Sequence, residues 1–101
     1  AQDTRDYLQL FVEQFPSIQE VAATFGMAER SYRRRLKAEG QSYRGLLDEV
    51  RYHKARTLLR ESSLPVETIA QQLGYTEAAA FIHAFQRWAG QTPARFRSEH
   101  R

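Results

Sequence analysis

Four basic residues lie on one side of a predicted helix in the first half of this 101-residue sequence. They stand at i, i+3, i+4 and i+7, which forms one continuous helix face, and they are Arg30, Arg33, Arg34 and Lys37. Tyr32 and Leu36 point the opposite way and are expected to enter a core. A planar guanidinium donates two parallel hydrogen bonds, which suits guanine O6 and N7 or a phosphate. This face could therefore bind a polyanion.

The alternative for such a face is a solvated surface whose charges pair with neighbouring acids. Glu29 is the acidic residue beside the four cations. Apart from Glu29, these cations have no matching acidic partner in the same stretch. The whole chain is also basic, with 15 Lys and Arg against 12 Asp and Glu and an isoelectric point near 9.6. Both observations favour an anionic partner over a merely solvated face.

The composition argues against several other classes of protein. With no cysteine, the chain has no disulfide framework and no thiolate metal site. The three histidines lack metal-ligand spacing, and neither a phosphate-binding glycine loop nor an acid and nucleophile set is present. No apolar run approaches the roughly 20 residues that span a bilayer. We therefore expect no enzyme, no cofactor, no metal and no membrane partner.

The few glycines and prolines divide the sequence into about seven helices, which predicts an all-α fold. Pro16 is expected to end the first helix, and Ser17 with Glu20 forms a capping box that starts the second. Ser42 and Thr92 are the expected N-caps of the fourth and seventh helices. The predicted ranges are about 4–15, 17–25, 28–38, 42–60, 65–73, 77–89 and from 92 onward.

The long fourth helix is expected to serve two cores in succession. Its apolar residues fall into two groups that differ in direction by a third to half a turn, at about 100° per residue. The two groups are Leu46, Leu47 and Val50, then Ala55, Leu58 and Leu59. We therefore predict one domain built of a first subdomain at 1–41, a linker helix at 42–61 and a second subdomain at 62–101.

A duplicated motif indicates what the two subdomains are. Val21-Ala22-x-x-Phe25-Gly26-Met27 recurs as Ile69-Ala70-x-x-Leu73-Gly74-Tyr75, and each copy continues into a helix with an apolar pair four residues apart. The small alanine lets two helices approach, and the glycine permits a tight turn. The pattern predicts two helix-turn-helix units, although a helical hairpin of purely structural purpose would share it. The basic face lies on the second helix of the first unit, which is the helix that enters the major groove.

The second helix of the later copy has a different outer surface. Its inward face is predicted to be Phe81, Ala84, Phe85 and Trp88, with Trp88 as a core residue. Its outer face carries alanines, His83, Gln86 and Arg87. Alanine cannot hydrogen-bond to a base, so we expect poorer base reading from this unit.

These motifs together resemble the DNA-binding domain of AraC/XylS-type bacterial transcription regulators. The resemblance covers about residues 17–97 and is most specific from Ile69 to Tyr75, from Phe81 to Pro93 and at Phe96-Arg97. The first half is similarly close at residues 21–27, 33–37 and 40–43 and at Arg51. The resemblance implies seven helices, with two recognition helices in successive major grooves about 34 Å apart.

The resemblance also assigns site residues. It implies base reading by Arg30, Ser31, Arg33 and Arg34 in the first unit and by Ala78, Ala79 and His83 in the second. Family members usually carry Arg where this chain has His83, so the second unit is expected to contribute mostly backbone contact or pH-sensitive binding. Helix starts attract phosphate, so Ser17 and Thr68 are expected phosphate contacts. The other expected phosphate contacts lie farther along the two recognition helices and are Lys37, Gln86 and Arg87.

The leading hypothesis is a bacterial, cytoplasmic and nucleoid-associated regulator that binds double-stranded promoter DNA. The chain begins without Met, so we expect it to be a fragment whose sensor or dimerisation domain precedes residue 1. The alternative is a helical protein-interaction module, for example one that contacts RNA polymerase and binds DNA weakly. A steep loss of affinity with salt would separate the first hypothesis from the second.

Overall fold

A computed structural model describes residues 1–11 and 14–100, and the regular secondary structure in those residues is all α-helical. The all-α prediction is confirmed. The described residues form seven helices, which are α1 (Gln2–Leu8), α2 (Ile18–Thr24), α3 (Glu29–Ala38), α4 (Tyr43–Glu61), α5 (Val66–Gln72), α6 (Ala78–Ala89) and α7 (Pro93–Glu99). Within the described ranges, no helix combines the length and apolarity needed to cross a membrane.

The first helix is shorter than predicted. The expected range of about 4–15 is wrong at both ends, because α1 begins two residues earlier and ends at Leu8. There the N–H of Phe11 bonds to the C=O of Leu8, three residues back, and this tightens the chain into a turn. The Phe11 ring still meets the Tyr7 ring edge-on, with 5.1 Å between centroids. Residues 12 and 13 of the predicted helix lie outside the described residues.

Three predicted N-caps are confirmed. The Ser17 hydroxyl accepts the Glu20 N–H at 3.2 Å, and the Glu20 carboxylate accepts the Ser17 N–H at 3.4 Å, which completes the capping box. Ser42 and Thr92 each accept the N–H three residues later, at 3.1 and 3.2 Å. These caps satisfy N–H groups that the first helical turn leaves without a backbone partner.

The first core joins side chains from α1 to the first half of α4. Its buried apolar members are Leu8, Val21, Ala22, Tyr32, Leu36, Leu46 and Val50. The hydroxyl of Tyr32 hydrogen-bonds the buried hydroxyl of Thr4, so the polar end of this tyrosine is satisfied inside the core. The core therefore fixes α1 against the helix that carries the basic face.

The second core is richer in aromatic rings. Its buried members are Ala55, Leu59, Ile69, Ala70, Leu73, Phe81, Phe85 and Phe96. Phe85 meets Phe96 edge-on at 5.4 Å and Tyr52 at 5.7 Å between ring centroids. Such edge-to-face pairs add attraction beyond the area that they bury.

Contacts divide the chain into two compact units within α4, between Val50 and Arg51. The first unit comprises residues 1–11 and 15–50, and the described part of the second comprises residue 14 and residues 51–100. The first half of α4 belongs to one core and the second half to the other, which confirms the two-core prediction.

Candidate nucleic-acid interface

In the first unit, α2, a tight turn and α3 form a helix-turn-helix. Gly26 takes a left-handed φ of 71°, which an L side chain rarely adopts, and reverses the chain there. The Met27 N–H then bonds to the C=O of Ala22 at 2.8 Å, so that the chain returns across the end of α2. Tyr32 and Leu36 are 1% and 2% exposed, which seats α3 on the core by one side only.

The opposite side of α3 is open to solvent. All five predicted contact residues on this helix are exposed, and they are Arg30, Ser31, Arg33, Arg34 and Lys37. Within the described residues, Arg30, Arg34 and Lys37 have no ion pair with an acidic side chain. The expected basic face is therefore present in the structure, and its role in base reading stays a prediction.

Arg33 differs from the other cations of the basic face because an acidic side chain restrains it. Its Nε lies 2.8 Å from a carboxylate oxygen of Glu29, one helical turn earlier. The pKa of Glu29 is lowered, and the hydrogen bond from Arg33 is the largest cause. Desolvation opposes this change, and a hydrogen bond from the side-chain amide of Gln19 on α2 lowers the pKa by a smaller amount. The pair is exposed, with the two side chains 60% and 32% accessible.

Arg35 belongs to the same run of arginines but not to the basic face. Its guanidinium reaches α1, where Nη2 lies 3.0 Å from the Asp3 carboxylate, and its Nε lies 3.4 Å from Glu39. At about 100° per residue, Arg35 points roughly 140° away from Arg30. The face thus contains two of the three consecutive arginines at 33–35, and the third joins α3 to α1.

In the second unit, α5, a turn and α6 repeat the same geometry. Gly74 takes a φ of 90°, and the Tyr75 N–H bonds to the C=O of Ala70 at 3.0 Å. Arg51 of α4 supports this turn, because its Nε donates to the C=O of Leu73 at 3.0 Å and its guanidinium lies 5.0 Å from the Tyr75 ring centroid. The sequence did not predict this role for Arg51, since Arg51 and Leu73 lie 22 positions apart.

The outer surface of α6 is mostly accessible. Ala79, His83, Gln86 and Arg87 are exposed, whereas Ala78 is half-buried and packs against the second core. Ala78 therefore presents only part of its methyl group. Trp88 is half-buried on the same core, 5.7 Å from the Tyr52 ring, as its place in the apolar stripe predicted.

The two predicted phosphate contacts near helix starts have different surroundings. Ser17 is exposed, but its hydroxyl is engaged with Glu20 on both its donor and acceptor sides. Thr68 is half-buried in the first turn of α5. Both assignments stay predictions.

Other arginines are used inside the fold. Arg97 donates to the C=O groups of Leu58, Leu59 and Ser62 at 3.1 to 3.4 Å and so caps the end of α4. Arg5 of α1 donates from Nε to the carboxylate of Glu49 on α4 at 2.6 Å. Among the residues with described positions, no three His, Asp or Glu side chains form a group that could hold a metal ion.

Comparisons with known proteins agree with this geometry. The sequence model of the family described as "Helix-turn-helix domain" matches residues 21–99. The HTH-type transcriptional regulator VqsM of Pseudomonas aeruginosa is 44% identical over 98 residues, which is 93% of this chain and 30% of VqsM. The chain thus spans less than a third of that relative's length.

Solved structures show the same fold. The transcriptional regulator CdpR from Pseudomonas aeruginosa superposes with a TM-score of 0.81 and 45% identity over 85% of this chain and 27% of CdpR. The DNA-binding domain of the global transcriptional factor AdpA, solved in complex with a target DNA, superposes with a TM-score of 0.81 and 28% identity over 99% of this chain and 87% of that domain. The chain belongs to the AraC-type helix-turn-helix family of DNA-binding transcription regulators, which is not a class of enzymes.

Proposed function

We propose that this chain binds promoter DNA sequence-specifically, with α3 and α6 as the recognition helices in successive major grooves. The observation that carries the proposal is the surface of α3, which is buried on the side of Tyr32 and Leu36 and exposes a row of cations on the other. Three of those cations have no acidic partner in the described structure, and in this proposal bound DNA neutralises them.

The proposed division of labour follows from the side chains. Arg30, Arg33 and Arg34 read base edges together with Ser31, and Lys37 at the far end of the face meets a phosphate. A long side chain with a point charge suits a phosphate, whereas the guanidinium fork suits guanine.

The second unit reads fewer bases in this proposal. The exposed methyl group of Ala79 and the accessible part of Ala78 can touch only a thymine methyl, and His83 is the central polar group on α6. Gln86 and Arg87, toward the end of the helix, contact the DNA strand, as does Thr68 at the start of α5. Ser17, the N-cap of α2, is the proposed strand contact in the first unit.

The setting that we propose is the bacterial cytoplasm, associated with the nucleoid. Because this chain covers only 30% of VqsM, sensing and dimerisation in such a regulator would belong to a domain outside these residues. A contact between this domain and RNA polymerase is compatible with the proposal, and DNA binding does not depend on it.

The variant Arg34→Ala tests the proposed face directly. We expect specific binding to weaken by about 1 to 3 kcal/mol, with relaxed preference at one base pair and a salt slope reduced by about 1. The measurement is fluorescence anisotropy with a duplex selected by this chain from a random pool, over a series of salt concentrations.

Arg95→Ala is the matched control. Arg95 is equally a cation on a helix surface, is 72% exposed and lies on α7 outside the proposed face. We expect it to lower affinity much less and to keep the base preference. An Arg34→Ala variant with unchanged affinity and base preference, or a wild type whose affinity hardly falls with salt, would favour a protein-interaction module instead.

A further inference from the structure

The N-terminal turn of α3 places a single carboxylate among the four cations of the basic face. Glu29 is the first residue of α3, and its Oε2 accepts from Nε of Arg33 at 2.8 Å. An acidic group at this position lowers the attraction of the face for any polyanion. Its position in the first turn of α3 favours the helix dipole but not general DNA affinity.

The geometry of the pair leaves the other edge of the guanidinium open. Arg33 has five N–H donors, and only Nε is engaged within the described residues. The two terminal nitrogens, Nη1 and Nη2, remain free with their parallel N–H groups. Those are the donors that fit guanine O6 and N7. The carboxylate thus holds the stem of the guanidinium while the recognition end stays available.

Restraint of this kind matters because an arginine side chain has many rotamers. An exposed arginine loses that freedom when it binds one base, which weakens the selective contact. Arg30 and Arg34 on the same face have no such partner in the described structure. Arg33 is thus the one of the three whose orientation the free protein already restrains.

The duplicated unit shows that the pair is not required by the fold. With Tyr32 and Leu36 of α3 matched to Phe81 and Phe85 of α6, Glu29 corresponds to Ala78 and Arg33 to Ile82. The α5–α6 unit makes the same turn without either charge. The pair therefore concerns the surface of α3 and not the construction of a helix-turn-helix.

We infer that Glu29 is a positioning residue that holds Arg33 in the orientation that reads a guanine, and that its charge also disfavours non-specific DNA. This inference rests on the proposed function, because it assumes that the α3 face meets base edges. Glu29 acts through Arg33 and raises the ratio of specific to non-specific affinity. Its removal lowers selectivity while non-specific affinity stays the same or rises.

The test uses the 101-residue chain, with Glu29→Gln, Arg33→Ala and the double variant. The probes are a duplex selected from a random pool by the wild type, the same duplex with each guanine replaced in turn, and a mixed-sequence duplex as the non-specific reference. Glu61→Gln is the charge-matched control, because Glu61 is an exposed glutamate at the end of α4. Circular dichroism establishes a temperature at which every variant is folded.

We expect Glu29→Gln to lower the preference for one guanine about fivefold or more, as the partial loss of one bidentate contact. Its affinity for the mixed-sequence duplex should be equal to that of the wild type or higher. Arg33→Ala should lose the same preference, and the double variant should match Arg33→Ala in base preference, since Glu29 acts on base reading through Arg33. Glu61→Gln should keep the preference.

Two results would overturn the inference and leave the proposed function intact. One is an Arg33→Ala variant that loses the guanine preference while Glu29→Gln keeps it. The other is a Glu29→Gln variant that loses affinity equally for both kinds of duplex, as a purely structural role requires. A wild type that selects no preferred sequence would overturn the proposed function, and the inference with it.

Discussion

Three consecutive arginines in α3 have three different environments. Arg33 is held by Glu29, Arg34 has no acidic partner in the described structure, and Arg35 reaches Asp3 of α1. Helical periodicity alone predicts that Arg35 leaves the face shared by the other two. The spacing of four residues between Glu29 and Arg33 was likewise readable as a potential pair. The pairing of Arg35 with Asp3 was not readable from the sequence, because Asp3 lies 32 positions away and only the folded first unit brings it near.

Arg35→Ala should separate stability from DNA binding. The side chains of Arg35 and Asp3 are 43% and 42% exposed, so solvent screens the pair and we expect only a small loss of unfolding free energy. Since Arg35 lies off the proposed face, the salt slope of DNA binding should stay at its wild-type value. Urea unfolding and salt titrations measure the two effects.

Arg34→Ala is the matched variant and should behave in the opposite way, with unchanged stability and a reduced salt slope. A charge exchange gives a further check, because Asp3→Arg combined with Arg35→Asp should regain part of the stability that either change alone removes. An Arg35→Ala variant that reduced the salt slope by as much as Arg34→Ala would place Arg35 on the DNA.

The ends of most helices were predictable because local chemistry determines them. The caps at Ser17, Ser42 and Thr92 form as predicted, and the glycines that follow α2 and α5 take positive φ. The end of α1 was not predictable in this way. Tyr7 and Phe11 have helical spacing and touch, yet the chain between them turns, so a contact typical of a helix occurs beyond its end. Pro16 therefore lies well after the point where the helix stops.

Gly26→Ala should destabilise the first helix-turn-helix through its backbone. Beyond the adjacent residues, no described atom lies within 4 Å of the Cβ that alanine would add, so the cost comes from the φ of 71°. A single non-glycine residue in this region costs about 1 to 2 kcal/mol, and we expect a loss of that size in urea unfolding.

Gly26→Asn is the control for this prediction. Asparagine tolerates the left-handed region better than alanine, so its loss of stability should be smaller although its side chain is larger. If the two variants were equally destabilised, or if asparagine cost more, side-chain crowding and not backbone conformation would determine the effect at this turn.

Across the whole molecule, the two helix-turn-helix units share a scaffold and differ in their surfaces. Both units use a small residue, a positive-φ glycine and a buried apolar pair to position the second helix. These features are local and repeat in the sequence, so both motifs could be predicted. The exposed residues differ, with cations on α3 and alanines with His83 on α6. The support that Arg51 and Arg97 give to backbone carbonyls was not predictable, because those partners are 22 and 35 to 39 residues away.

Two paired carboxylates of the first unit should make the stability of the chain sensitive to acid. At Asp3, burial raises the pKa, but the Thr4 amide and Arg35 outweigh it and leave the pKa below its ordinary value of 3.8. At Glu29 the hydrogen bond from Arg33 is the main cause that holds the pKa below 4.5. A carboxylate with a lowered pKa stabilises the folded state above its ordinary pKa, and that contribution disappears as the pH falls through the lowered value. Urea unfolding of the wild type should therefore show stability that declines as the pH drops below about 4.5.

The variants Asp3→Asn and Glu29→Gln isolate these two groups from the other acids. Each should be less stable than the wild type at pH 7, and the difference should shrink toward zero as the pH falls, because protonation removes the same charge from the wild type. Glu61→Gln removes a charge that has no ion pair in the described structure and serves as the control for loss of a surface carboxylate. Differences that stayed constant from neutral to acid pH would mean that the two side chains act through packing. Their ion pairs with Arg33 and Arg35 would then contribute nothing to the acid sensitivity of the fold.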